Sequence, residues 1–195
     1  LDSRFRGNDG GTVARCLGPF WTQDGTPPKP PVLSESLPGS WQPGTAMPDS
    51  RYLSEAVLVS SRVYLIAGDN GSGELNSVYV ATLTAGGSIG FWSTITDASL
   101  TARYSHRAVV SNNKIYVTGG VPNSDVRYTS VNAANGSLSA WTLTTPLPYS
   151  GLNGHSSVLY NNRIYVLGGN VGGARSDVFF SPINLVSPCL ITIKC

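Results

Sequence analysis

Charge is scarce in this chain: Asp, Glu, Lys and Arg together make 12% of its 195 residues, and the formal net charge is only +2. No stripe of Lys and Arg interleaved with aromatics occurs, so a nucleic-acid surface is not expected. The one basic cluster is Arg4, Arg6 and Arg15. Cysteine is almost missing too. Cys16, Cys189 and Cys195 lie near the ends, in neither a CxxC pair nor a metal-ligand spacing. No apolar run approaches bilayer thickness, so no membrane span is expected. No basic start leading into an apolar core marks a signal peptide. A Gly-rich phosphate loop, a Ser-His-Asp order and a Cys-His pair are likewise absent, and no cofactor is implied.

Glycine and proline, by contrast, are plentiful, at 22 and 13 residues. That composition suits many short strands joined by tight turns. The strands themselves repeat. Val63-Tyr64-Leu65-Ile66-Ala67-Gly68, Ile115-Tyr116-Val117-Thr118-Gly119-Gly120 and Ile164-Tyr165-Val166-Leu167-Gly168-Gly169 are three versions of one apolar hexamer, with tyrosines 52 and then 49 residues apart. A second motif, Gly-Ser-(Ile/Leu)-x-x-Trp, occurs at Gly87–Trp92 and Gly136–Trp141, again 49 residues apart. A period near fifty carried by strand-like hexamers ending in glycine predicts an all-β chain built from propeller blades.

The best copy predicts four antiparallel strands. His106 to Ser111 is the first, and Asn112-Asn113 supplies the positive φ angles of a two-residue hairpin. Lys114 to Thr118 returns, without the strict alternation of a half-exposed strand, as expected where both faces are covered. Gly119-Gly120 ends it. A third strand follows around Arg127 to Val131, then a turn at Asn135-Gly136 and an outer strand from Leu138 to Thr144. In the preceding copy the sequence predicts Ser54 to Val59, a Ser60-Ser61 turn, Val63 to Gly68, Tyr79 in the third strand and Trp92 in the fourth. Tyr79 and Tyr128 each stand 13 residues before their tryptophans. The third copy starts at His155, turns at Asn161-Asn162, and has Phe179 in the tyrosine's place. Trp41 lies seven residues before Pro48, as Trp141 lies before Pro148, and is read as a remnant outer strand.

The diglycine, then a tyrosine, then a tryptophan thirteen later resembles the kelch repeat, as found in bacterial multi-blade proteins, over about residues 39 to 183. The resemblance implies a partial kelch-type β-propeller of about two and a half to three four-stranded blades, fewer than a closed ring needs. Residues 1–20 read as a non-native or disordered segment. Their opening resembles translated repetitive DNA found between bacterial genes. Residues 21–50 read as a Pro-rich linker, 51–100 as a first blade, 101–149 as a second, 150–183 as an incomplete third and 184–195 as an aberrant tail. A fragment of a longer protein is the expectation, with self-association through its open end blades.

Function is less legible. The loop leading into each first strand and the loop leaving each second strand should open on one face. That face would gather Arg103, Tyr104, His106, Asn153 and His155, together with the loops holding Asp69, Asp125 and Arg175. Loops on a rigid scaffold are where binding residues concentrate. His106 and His155 could share a metal, but no carboxylate or cysteine stands beside them, and blade-to-blade packing is the favoured role; no metal is expected. Arg103 and Arg107 suit an acidic ligand, although donation to carbonyls at blade ends is favoured. Asp69, Asp125 and Asp177 read as loop-turn residues, and Trp92 and Trp141 as outer-strand core. The expected function is a non-catalytic scaffold for a protein or carbohydrate ligand, secreted or at the cell surface rather than cytoplasmic if the chain is bacterial. The alternative is a fragment of an enzyme on the same scaffold, such as a sialic acid mutarotase or a carbohydrate oxidase. The oxidase needs a cysteine within the repeats, and none is there.

Overall fold

The computed structural model describes residues 39–97, 99–123 and 125–183. The expectations for residues 1–20 and 184–195, and for most of the Pro-rich stretch, lie outside them. The chain divides into two units, 1–42 and 43–195. In the first, the described residues 39–42 form no strand, and Trp41 is 95% exposed. The described residues around Trp41 thus do not form the outer strand expected there, and the stretch before Gly39 lies outside them.

The second unit is all-β among its described residues, with eleven strands in three antiparallel sheets. The first sheet runs β1 (Glu55–Val59), β2 (Arg62–Asp69), β3 (Glu74–Thr82) and β4 (Ser93–Thr96), in that spatial order. The second repeats it with β5 (Arg107–Ser111), β6 (Lys114–Thr118), β7 (Val126–Ser130) and β8 (Thr142–Thr144). The third holds β9 (Ser156–Tyr160), β10 (Arg163–Leu167) and β11 (Val178–Pro182). Successive sheets meet through their first strands, β1 beside β5 and β5 beside β9.

Local chemistry explains the hairpins. Asn112 and Asn113 have φ of 49° and 56°, and Asn161 and Asn162 have 46° and 53°. Asparagine tolerates this left-handed region better than most residues, and two such residues in a row give a turn whose twist matches the strands. In the first sheet only Ser60 of the Ser60-Ser61 pair has positive φ, at 54°.

The outer strands are shorter than the sequence predicts. β8 is three residues, and Leu138 makes only a single bridge to Val131. Trp92 and Trp141 immediately precede β4 and β8 rather than lying in them. Trp141 is buried all the same, its backbone N–H donating to Ser99 Oγ at 2.7 Å. The expected match of Tyr79 with Tyr128 also fails. Tyr128 stands opposite Tyr116, whereas Val80, not Tyr79, stands opposite Tyr64. Because side chains alternate, the one-residue difference puts the two tyrosines on opposite faces of their sheets. In the third sheet Phe180, not Phe179, is opposite Tyr165.

Two apolar layers hold the sheets together. One packs Val57, Tyr64, Ile66 and Val78 against Ile115, Val117 and Trp141. The other packs Val109 and Tyr116 against Ile164 and Val166, with Leu152 between. In β6 every residue from Ile115 to Thr118 is buried, because both faces of the second sheet are covered. In β10 only Ile164 and Val166 are buried, since no described residues cover the other face of the third sheet.

Candidate functional site

The two loops at one end of each sheet are stitched together by paired backbone hydrogen bonds. Tyr52 and Asp69 exchange N–H···O=C bonds, both of 2.9 Å; so do Tyr104 and Val121, at 3.2 and 3.0 Å, and Asn153 and Asn170, at 3.2 and 2.8 Å. The glycine ending each second strand makes this approach possible. At Gly120, with φ of 95°, a Cβ would lie 2.8 Å from both His106 Cβ and the Tyr104 carbonyl, and Gly68 sits the same way against Ser54 and Tyr52. Only a residue without a side chain fits there.

Beneath this loop end lies a largely buried polar layer, and it takes four of the expected site residues, Arg103, His106, Asp125 and His155. Arg103 is wholly buried. Its Nε donates to the Thr101 carbonyl and its Nη1 to the Gly119 carbonyl, both at 3.0 Å. Its Nη2 pairs with Asp125 Oδ1 at 2.6 Å. Burial pulls the guanidinium below its ordinary range, and the Asp125 carboxylate opposes that shift. Asp125 Oδ2 accepts a second bond from Arg127 Nε at 2.6 Å. Asp125 is thus the shared anion of two arginines rather than a simple turn residue.

His106 and His155 are also fully buried, not displayed on an accessible face. His155 Nε2 lies 3.0 Å from Thr118 Oγ1, which in turn lies 3.0 Å from Ser157 Oγ. His106 has no hydrogen-bond partner for either ring nitrogen among the described residues. Burial, with the positive charges of Arg103 and Arg107 nearby, pushes His106 down to about 3; burial and Arg107 push His155 down to about 4. Both are neutral at pH 7. Arg107 reaches from the second sheet to Glu55 in the first at 3.4 Å. Among the described residues, no group of three or more His, Cys, Asp or Glu side chains is placed to hold a metal.

The remaining expected residues lie at the loop end itself. Tyr104 and Asn153 are partly exposed, and the Asn153 side-chain amide donates to the Gly151 and Asn170 carbonyls. Asp69 Oδ1 accepts from the Gly71 N–H at 2.6 Å, closing an Asx turn. Its carboxylate also raises the pKa of the neighbouring, exposed Tyr52 phenol. Arg175 is exposed, pairs with Asp177 at 2.9 Å, and donates to the Tyr149 hydroxyl while its guanidinium sits over that ring.

Three residues were missed by sequence reasoning, Tyr52 at the loop end being the first. Thr118 joins the sheets through His155 and Ser157. Arg51 donates to the Ala67 carbonyl at 3.1 Å and stacks on Tyr79 at 3.7 Å. Arg51 repeats the job of Arg103, since Ala67 is the counterpart of Gly119. Their 52-residue separation, the same as that of Tyr64 and Tyr116, is the signal that would have found it. Among the described residues no helix is long and apolar enough to cross a membrane. A scan against protein-family models finds no match for this sequence, and no curated protein matches it.

Proposed function

We propose that this chain is a segment of a kelch-type β-propeller that serves as a non-catalytic interaction module, taking a protein or carbohydrate ligand at its loop end. The thrice-repeated pairing of leading and leaving loops carries this reading. It fixes Tyr52, Tyr104 and Asn153 at equivalent places at the ends of three stacked sheets. Tyrosine and asparagine offer amphipathic contact area and adaptable hydrogen bonds at low conformational cost, the chemistry that loop-built binding surfaces use. Meanwhile Arg103 and His155 are engaged in holding the sheets and strand ends, and His106 is buried between them. Stacking of like sheets through their first strands, and hexamers repeating near every fifty residues, support the propeller assignment.

The test is to screen the purified chain against glycan and peptide arrays and then measure any hit by calorimetry. Replacing Tyr52 and Tyr104 together by alanine is expected to weaken a genuine ligand by about tenfold to a hundredfold, the range for losing an aromatic anchor. Binding unchanged in that variant would place the site elsewhere. Accelerated exchange of sialic acid anomers, followed by NMR, would replace the scaffold reading with a catalytic one.

A further inference from the structure

The join between one sheet and the next is made twice in this chain, from the same parts. Gly68 N–H donates to the Arg103 carbonyl at 2.9 Å, and Gly120 N–H, its counterpart, to the Leu152 carbonyl at 2.8 Å. Ser105 N–H donates to the Leu53 carbonyl at 2.9 Å, and Gly154 N–H to the Ser105 carbonyl at 3.0 Å. At the first join, Tyr64 Oη donates to the Gly136 carbonyl at 2.8 Å, and Arg62 reaches the Ala133 and Ala134 carbonyls.

The two ends of the stack carry the unmatched halves of that join. On the third sheet, the side that follows the pattern of Tyr64 and Tyr116 is left uncovered by the described residues. Val57 and Val109 are 9% and 8% exposed, but their counterpart Val158 is 51% exposed, and Tyr160 is 66% exposed where Val59 is buried. Arg163 and Tyr165 stand there as the counterparts of Arg62 and Tyr64. On the first sheet the opposite side is open. Leu58 is 55% exposed, whereas its counterparts Val110 and Leu159 pack against the two apolar layers. The turn that would receive Arg163 and Tyr165 is also present there. Gly87 has φ of 82° against 78° at Gly136, yet no described residue lies within 4 Å of its would-be Cβ, while at Gly136 that position is 2.6 Å from Arg62 Nε. Leu53 even holds a left-handed φ, 53°, as Ser105 (53°) and Gly154 (61°) do at the joins.

We infer that the third sheet of one copy of this chain docks on the first sheet of a second copy, remaking the internal join between molecules. Tyr165 meets the Thr84–Gly87 turn, Val158 meets Leu58, and the Gly169 N–H reaches the Arg51 carbonyl. The interface is head-to-tail, joining two unlike surfaces. This inference rests on the observed stacking of sheets and is independent of any ligand at the loop end.

Sedimentation velocity on the full chain tests it. The unaltered protein is expected to associate with rising concentration. Val158→Asp, which spoils the tail, and Leu58→Asp, which spoils the head, should each weaken association by about a hundredfold, because each buries an unpaired carboxylate. Mixed together they should form a one-to-one complex, since the mixture contains one sound head and one sound tail. Tyr160→Asp and Ala56→Asp replace either variant that fails to fold by circular dichroism. A monomeric wild type, as when residues 184–195 of the same chain cover the face, overturns the inference. So do single variants that still associate, or a mixture that does not pair.

Discussion

The two histidines show how burial decides what a residue does. An imidazole on a loop at the end of a sheet has the chemistry of a ligand or a proton carrier, and spacing alone offers nothing against that. In the structure both rings lie in the buried polar layer beneath the loop end, close to guanidinium groups, and protonating either means charging a buried ring beside positive neighbours. The unfolded chain titrates its histidines near 6.5, whereas the folded chain holds His106 down to about 3 and His155 to about 4. As pH falls below 6.5 the unfolded state takes up protons that the folded state refuses, so stability is full above that value and drains away toward pH 4. The expected loss is about 1.4 kcal/mol per imidazole for each pH unit in that window. Burial raises the pKa of Glu55, which faces Arg107, and that shift acts in the opposite direction, adding stability as pH falls through the raised value. Thermal melts between pH 7.5 and 5.5 check the point. A flat melting temperature there would mean that neither ring is buried neutral.

Among the elements, the second strands and their hairpins were the most legible. The apolar hexamers have a definite length, and Asn-Asn is a local signal whose meaning does not depend on the rest of the fold. Asn113→Val should therefore cost about 1–2 kcal/mol, because a β-branched side chain is strained at its φ of 56°, while Asn113→Gly should be close to neutral. Urea denaturation of the pair distinguishes a backbone effect from loss of an asparagine contact: equal destabilisation by both changes would implicate the side chain. The third and fourth strands were less legible. Counting thirteen residues back from each tryptophan aligns Tyr79 with Tyr128, but the register also depends on an irregularity between Ile66 and Gly68 in β2, and no residue count reveals it. The pairing of Arg103 with Asp125 was hidden for a related reason. Their 22 positions of separation in sequence close up only when two loops fold over the same buried layer.

At the scale of the whole molecule, the second sheet differs from its neighbours in being covered on both sides. In a stack where each unit touches only the next, the inner unit gains two interfaces and an end unit one. Amide hydrogen exchange should therefore be slowest in β6, with β9 to β11 opening more readily, since local opening follows the buried contacts each segment has to lose. Mass spectrometry of exchanged peptides reports this ordering; equal protection of β6 and β10 would show that the stack unfolds only as a single body. The unlike end faces have a different kind of consequence, one of counting. An interface between unlike surfaces propagates without limit unless the accumulated rotation completes a full turn. On the propeller reading, closed rings contain about four to eight blades. If each copy contributes the three sheets of its described residues, the reachable totals are multiples of three, and six is the one multiple inside that range. Two copies can close such a circuit, and a third has nowhere to enter; any geometry that misses closure at two has only an open filament left to it.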